Sequence, residues 1–339
     1  MNYQLHTDPD EMEELSTQGL KVRNAPHQRK GKKLTNQSIT RQVEFSVAEN
    51  DESRFPFSYH ASRYEKEWLM ASMKEIYEQN WIEDITRMVR GGKEATVYLC
   101  RAPSTMSESL LAAKVYRPRR FRNLKNDHLY REGRNQLDAT GKVILDDRQL
   151  HAMDKHTDYG LRLLHSSWIG HEFRTMKMLD DAGVDLPRPY VSSDNVILMD
   201  YVGDGLTDAP TLNTVTLTSG EAARLYERVV FDIELMLLVN RVHADLSAYN
   251  ILYWQGEIKL IDFPQAIDPD ENHGAYRIFS RDLARVCSYF ETQGVKTDPR
   301  GLAARLWKEK GRLVNTAIDP HYLDPENEED VWCWKSAGA

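Results

Sequence analysis

The stretch Val242-His243-Ala244-Asp245-Leu246-Ser247-Ala248-Tyr249-Asn250-Ile251-Leu252, followed shortly by Leu260-Ile261-Asp262-Phe263, decides the fold. It is a His-x-Asp-x-x-x-x-Asn loop set between a long helical pattern and a pair of strand-like runs. Upstream, residues 221–240 keep Leu225, Val229, Ile233, Met236 and Leu237 at helical spacing, with Ser219 placed to cap them. Downstream, residues 251–254 and 257–261 read as short strands around the turn Gln255-Gly256. Phosphoryl transfer from a nucleoside triphosphate asks little covalent chemistry of a protein. It asks that phosphate, metal and acceptor be held in line while developing charge is neutralised. Asp245 sits where a carboxylate orients an acceptor hydroxyl. Asn250 offers a neutral oxygen and Asp262 a charged one, a pair that suits Mg²⁺ or Mn²⁺ bound to phosphates. A capping Asp and a turn Asn would explain either residue alone. They explain the pair less well, placed between a helix and a hairpin that ends in Ile-Asp-Phe, and stay the alternative to the phosphoryl-transfer reading.

Earlier in the chain, Gly91-Gly92-Lys93-Glu94-Ala95-Thr96-Val97-Tyr98 precedes Ala112-Ala113-Lys114-Val115-Tyr116. Strand-like runs at 85–89, 96–100 and 110–116 form a small antiparallel meander, and a helix over about 60–79 comes before them. Glycines in a strand-to-strand turn let backbone amides approach phosphates, so Gly91, Gly92 and Lys93 are candidate ATP contacts. Lys114 is more pointed, because an ammonium in an apolar strand needs a carboxylate or phosphate partner. Glu172, on a helix read over 167–182, is its natural partner, with Glu132 as competitor. The strand over 196–202 would offer adenine the backbone groups of Asp200 and Val202, with Met199 against the ring. Helices over 275–292 and 300–309 close the fold.

The chain has 339 residues, 41% hydrophobic and 28% charged, which allows a buried interior and excludes wholesale disorder. Its net charge of −8 argues against a general nucleic-acid coat. No segment has the length and apolarity of a membrane span or the pattern of a cleaved signal, so a soluble, cytoplasmic protein with no membrane partner is expected. Cys100, Cys287 and Cys333 are too sparse for a disulfide framework or a zinc knuckle. The charge is unevenly spread. Residues 1–20 carry acids and no Lys or Arg, residues 21–43 are basic with no acid, and the tail after 310 is acidic. The basic stretch 21–41 and the cluster 117–125 are candidate contacts for an RNA-containing partner, though a solvated tail explains the first as well.

With these residues in view, the sequence resembles the RIO family of atypical serine/threonine protein kinases. The stretches that carry the resemblance are 92–98, 113–116, 172–173, 199–203, 243–253 and 261–266. It implies an α+β, bilobal protein-kinase-like fold of RIO type. A small antiparallel-sheet N-lobe would sit against a mainly helical C-lobe, with no long activation segment. It implies that Asp245 accepts the substrate proton, that Lys114 binds ATP, and that Asn250 and Asp262 hold the metal. It further implies that Asp262 can itself take the γ-phosphate, which adds an ATPase cycle, and that the partner is ribosomal. Residues 117–165 and both termini depart from any pattern of the family.

The expected organisation is a mobile arm over 1–58, a helix over 59–80 packed on the N-lobe, and the N-lobe itself over 81–202. That lobe carries an insertion at 117–165. The C-lobe follows over 203–310, then an acidic tail over 311–339. Two other outputs use the same residues. A small-molecule phosphotransferase of the aminoglycoside or choline type shares the catalytic loop, and a nucleotide-gated assembly factor would act by binding rather than by labelling a substrate.

Overall fold

Strand alternation builds the smaller lobe. The computed structural model describes residues 57–117, 136–137 and 143–313. Within it β1 (Asp84–Gly91), β2 (Ala95–Arg101) and β3 (Leu110–Tyr116) pair antiparallel in sequence order. The later strands β4 (Pro189–Ser192) and β5 (Val196–Asp200) complete a five-stranded sheet in the order β1-β2-β3-β5-β4. In a strand covered on both faces the usual alternation of apolar and polar residues collapses into one apolar run. β3 shows this. Leu111, Ala113 and Val115 pack against α1 (Arg63–Glu78), whose Leu69, Met73 and Ile76 form a single stripe. Ala112 and Tyr116 point the other way, into a core shared with Trp168, Ile169 and Met199. Lys114 belongs to this second face by the period of two, so the sheet aims one ammonium at the second lobe.

The larger lobe is helical. α2 (Asp147–Asp154) and α3 (Asp158–Asp181) precede β4, and α4 (Ser219–Leu238), α5 (Ala275–Thr292) and α6 (Pro299–Glu309) follow the sheet. Leu225, Val229, Ile233, Met236 and Leu237 of α4 are buried with Ile278, Phe279, Leu283, Val286 and Phe290 of α5. The hairpin β6 (Ile251–Trp254) and β7 (Glu257–Leu260) lies between α4 and α5 in sequence. Residues 261–274 alone separate β7 from α5, so the chain has no long activation segment. No described helix is long and apolar enough to cross a membrane.

Several boundaries differ from those the sequence suggests, each for a local reason. The helix read from residue 167 begins at Asp158, where the Thr157 hydroxyl accepts from the Gly160 N–H at 3.0 Å. Gly160 obscures the helical signal there, yet packing requires it, since a Cβ would stand 1.8 Å from the Ala152 carbonyl oxygen of α2. Residues 143–165 therefore hold α2 and the first turns of α3. α4 is capped by Thr218, whose hydroxyl accepts from Glu221, and Ser219 is already in the helix. β5 stops at Asp200 rather than 202, because the chain then turns through Gly203, at φ 149°, and Gly205, at φ 90°. The edge strand β4 escapes a pattern reading because it is short and opens on a proline, which edge positions tolerate. Most of the arm 1–58, the basic cluster beyond Arg117, Glu132 and the tail from 314 lie outside the described residues.

Candidate active site

Local chain geometry places the two aspartates. Val242 and Ile267 exchange backbone hydrogen bonds at 3.0 and 2.9 Å, which brackets the catalytic-type loop and the turn after β7 together. The Ile261 N–H donates to the Asn250 carbonyl at 3.0 Å, a second tie between the two segments. His243 makes the third, with Nε2 at 3.1 Å from the Ile261 carbonyl and its ring packed on Phe263. Burial pushes the His243 imidazole down, against the pull of Asp245, so the ring stays neutral and Nε2 carries the donated proton. Ala244 and Asp262 both adopt left-handed backbone, at φ 66° and 72°. Non-glycine residues hold that conformation only when surrounding contacts impose it. Here the imposing contacts are the three cross-ties, together with the Arg281 guanidinium, which donates to the Ala244 carbonyl at 2.6 Å.

Three elements then converge on one ammonium. Lys114 Nζ of β3 lies 2.8 Å from Glu172 Oε1 of α3 and 2.7 Å from Asp262 Oδ1. Glu172 is 1% exposed, and its other oxygen accepts from the Tyr116 hydroxyl. The Lys114 ammonium also lies over the Tyr116 ring, 5.2 Å from its centre. Burial alone would pull Lys114 down, but Asp262 and Glu172 more than reverse this and hold it well above the ordinary lysine range. Burial would likewise raise Asp262, and Lys114 more than offsets that, so its carboxyl sits below the usual range. At neutral pH the site therefore holds a charged Lys114 against an ionised Asp262.

Asp245 stands on the open side of the same loop. Asn250 Nδ2 donates to the Asp245 carbonyl at 2.9 Å and to its Oδ2 at 3.2 Å. With its nitrogen turned to Asp245, the Asn250 amide keeps Oδ1 as a neutral oxygen donor. The Asp262 side chain is 43% exposed, so its carboxylate is reachable despite the Lys114 contact. An amide oxygen beside a reachable carboxylate is a donor set that fits Mg²⁺ held jointly with phosphates. No cluster of three or more His, Cys, Asp or Glu side chains suited to a metal occurs among the described residues.

Gly91 ends β1, and the Gly92 N–H donates to the Ala95 carbonyl at 2.9 Å, closing the β1–β2 turn. That amide is engaged in the turn instead of facing a phosphate. Lys93 is exposed at the tip. Met199 pairs with Ala112 across β3 and β5 and is 9% exposed. The Asp200 N–H donates to Arg188, and the Val202 carbonyl accepts from Ala209 at 3.0 Å. The groups of that segment left for adenine are thus the Asp200 carbonyl and the Val202 N–H.

Residues that pattern reading overlooks come from α5. Arg285 Nη1 lies 3.0 Å from Asp245 Oδ1. Asp282, 3% exposed, accepts from the Leu246 N–H and so braces the loop from behind, and burial raises its carboxyl to about 7. On sequence alone Arg281, Asp282 and Arg285 read as ordinary polar positions of an amphipathic helix. Their only signal is the spacing of 281 and 285, which puts both guanidiniums on one face. Arg90 of β1, whose charge acts on Asp262, is a further residue of this kind.

The RIO domain model matches residues 107–302. The RIO-type serine/threonine-protein kinase Rio1 of Thermoplasma acidophilum is 33% identical over 132 residues, 39% of this chain and 68% of that protein. The human serine/threonine-protein kinase RIO3 is 26% identical over 225 residues, covering 66% of this chain and 42% of its own length. The serine/threonine-protein kinase RIO1 of Chaetomium thermophilum is 31% identical over 230 residues, or 65% of this chain and 41% of its own. The match spans less than half of the human and Chaetomium relatives. Because the matched region holds β3, Glu172, the loop from His243 to Asn250 and Asp262, and covers more than half of the sequence, the chain belongs to the RIO domain family.

Proposed function

We propose that the protein is an ATP-dependent serine/threonine protein kinase that also turns over ATP on its own Asp262. The observation that carries this reading is the meeting of Lys114 with both Glu172 and Asp262 at one point beside the open carboxylate of Asp245. Lys114, fixed by Glu172, supplies positive charge to the α- and β-phosphates. Asn250 and Asp262 would hold Mg²⁺, which would neutralise charge on the phosphates when bound. Asp245 orients the acceptor hydroxyl and takes its proton. The acceptor oxygen bonds to the γ-phosphorus as the bond to the β–γ bridging oxygen breaks, and ADP leaves with that electron pair.

A half-exposed Asp262 can take the same phosphoryl group. Its carboxylate oxygen attacks the γ-phosphorus, ADP leaves, and water later hydrolyses the acyl phosphate to inorganic phosphate. The names of the relatives support kinase activity, and the Asp262 cycle rests on the resemblance and on the exposure of that carboxylate. Incubation with γ-labelled ATP and Mg²⁺, followed by mapping of the label, tests both. Label on serine or threonine is expected from the kinase, and a hydroxylamine-labile label lost in Asp262→Ala from the acyl phosphate. Label confined to Asp262 would favour an assembly factor gated by nucleotide. Rapid turnover of an amino sugar or choline would move the chain to the small-molecule phosphotransferases, and no label at all would overturn the reading.

A further inference from the structure

We infer that Arg285 selects the acceptor, and that the preferred acceptor is a hydroxyl in an acidic peptide segment. The inference rests on the kinase reading and names the substrate class for the same site. The two oxygens of the Asp245 carboxylate are unequally placed. Oδ2 is held by the Asn250 amide at 3.2 Å, within the loop. Oδ1 meets Arg285 Nη1 at 3.0 Å, and the two side chains are 42% and 40% exposed. An incoming hydroxyl that gives its proton to Asp245 therefore meets a carboxylate with the Arg285 guanidinium as its direct neighbour. A carboxylate oxygen accepts more than one hydrogen bond, so the hydroxyl and Arg285 can share it.

What Arg285 does with its other donors follows from its neighbours. Four residues earlier on α5, Arg281 is turned inward, with its guanidinium on the Ala244 carbonyl and beside Asp282. Arg281 is 16% exposed and is part of the loop's scaffold. Arg285 is the outward member of the pair. Its hydrogen bond to Asp245 is the one it makes among the described residues, which leaves most of a five-donor fork, 40% exposed, beside the carboxylate that takes the acceptor's proton. A planar fork with free N–H groups binds carboxylate or phosphate in a bidentate way. An acidic group next to the acceptor hydroxyl would fill it while the hydroxyl engages Asp245. A basic group there would meet the guanidinium's charge at short range.

The openness of the site points to a chain segment as the bearer of that acid. Tyr249, in the same loop, is 67% exposed. Together with the exposure of Asp245 and Arg285, this makes the acceptor side a surface over which an extended peptide can lie. Among the described residues, these three exposed side chains form no enclosing wall for a small anionic molecule.

The experiment compares kcat/KM for three serine peptides, flanked by Asp and Glu, by Ala, or by Lys. Wild type, Arg285→Ala, Arg285→Lys and Arg285→Glu are each measured. Wild type should favour the acidic peptide over the basic one by about tenfold, the scale of one partly exposed charge contact acting on both peptides in opposite senses. Arg285→Ala should erase the ranking, Arg285→Lys keep part of it, and Arg285→Glu reverse it. The same ranking in wild type and Arg285→Ala overturns the inference while leaving phosphoryl transfer intact. Faster transfer to all three peptides in Arg285→Ala overturns it differently, by making Arg285 a barrier over Asp245. A wild-type protein that binds ATP yet labels no peptide of any charge overturns the kinase reading and the inference with it.

Discussion

Lys114 and Asp262 lie 148 positions apart and meet at 2.7 Å, and the same ammonium is 2.8 Å from Glu172. The contact joins the sheet of the smaller lobe to the turn that leaves β7. Glu172 is 1% exposed and Lys114 13%, so the pair is a buried one whose two halves depend on each other. Removing one partner from such a pair leaves a charge without compensation. Lys114→Met should therefore cost about 3 kcal/mol of stability in addition to weakening nucleotide binding. Chemical denaturation without nucleotide measures the first effect separately from the second. A variant as stable as wild type would mean that Tyr116 alone satisfies Glu172.

Asp245 has a different position and so a different expectation. Its carboxylate is 42% exposed and braces nothing in the core, although Asn250 and Arg285 touch it. Asp245→Ala should lower turnover by about a hundredfold or more while nucleotide affinity and melting temperature stay close to wild type. Single-turnover labelling beside a binding titration separates the two. Near-normal turnover in the variant would remove Asp245 from the role of proton acceptor.

The parts of this site that can be read in the sequence are those whose signal is local. His243, Asp245 and Asn250 lie in one loop between a long amphipathic helix and a hairpin, so spacing alone sets them side by side. Lys114 stands out because β3 is buried on both faces and a charge interrupts its apolar run. Arg285, Asp282 and Arg281 cannot be found in this way. Their helix offers a polar face like any other, and only the packing of α5 against the loop turns three of its residues toward Ala244, Asp245 and Leu246. The start of α3 was hidden for the opposite reason. Gly160 weakens the helical signal at the point where α2 presses closest.

That close approach makes a prediction about packing. A methyl group at position 160 would stand 1.8 Å from the Ala152 carbonyl oxygen and 2.6 Å from the Met153 nitrogen, both backbone atoms that cannot rotate away. Alanine is ordinarily the better helix former, so an exposed Gly→Ala change in a helix tends to stabilise. Here overpacking should dominate, and Gly160→Ala should destabilise by about 1–3 kcal/mol. Hydrogen exchange should show the loss concentrated in α2 and the first turns of α3. An unchanged or raised melting temperature would contradict the close packing of the two helices.

The last expectation concerns pH and a carboxyl remote from the nucleotide. Asp232 of α4 is fully buried, and burial raises it to about 7. The Asp185 N–H donates to its Oδ1 at 3.2 Å and Arg228 lies 3.6 Å away, while Oδ2 has no hydrogen-bond partner. The Asp185 carboxylate raises the same group while Arg228 and Lys259 lower it, and desolvation, the largest effect, dominates. In the unfolded chain an aspartate titrates near about 3.9. Between about pH 4 and 7 the folded protein thus holds a proton that the unfolded chain has released, and stability falls as pH rises through that window. Above about 7 the group is ionised in both states and its effect is constant. Asp232→Asn, which resembles the protonated side chain, should therefore gain on wild type steadily from about pH 4 to 7 and then hold its advantage. Unfolding free energies of both proteins across this range measure the difference. A difference that did not change with pH would show that Asp232 is ionised in the folded protein throughout, with Arg228 and Lys259 outweighing its burial.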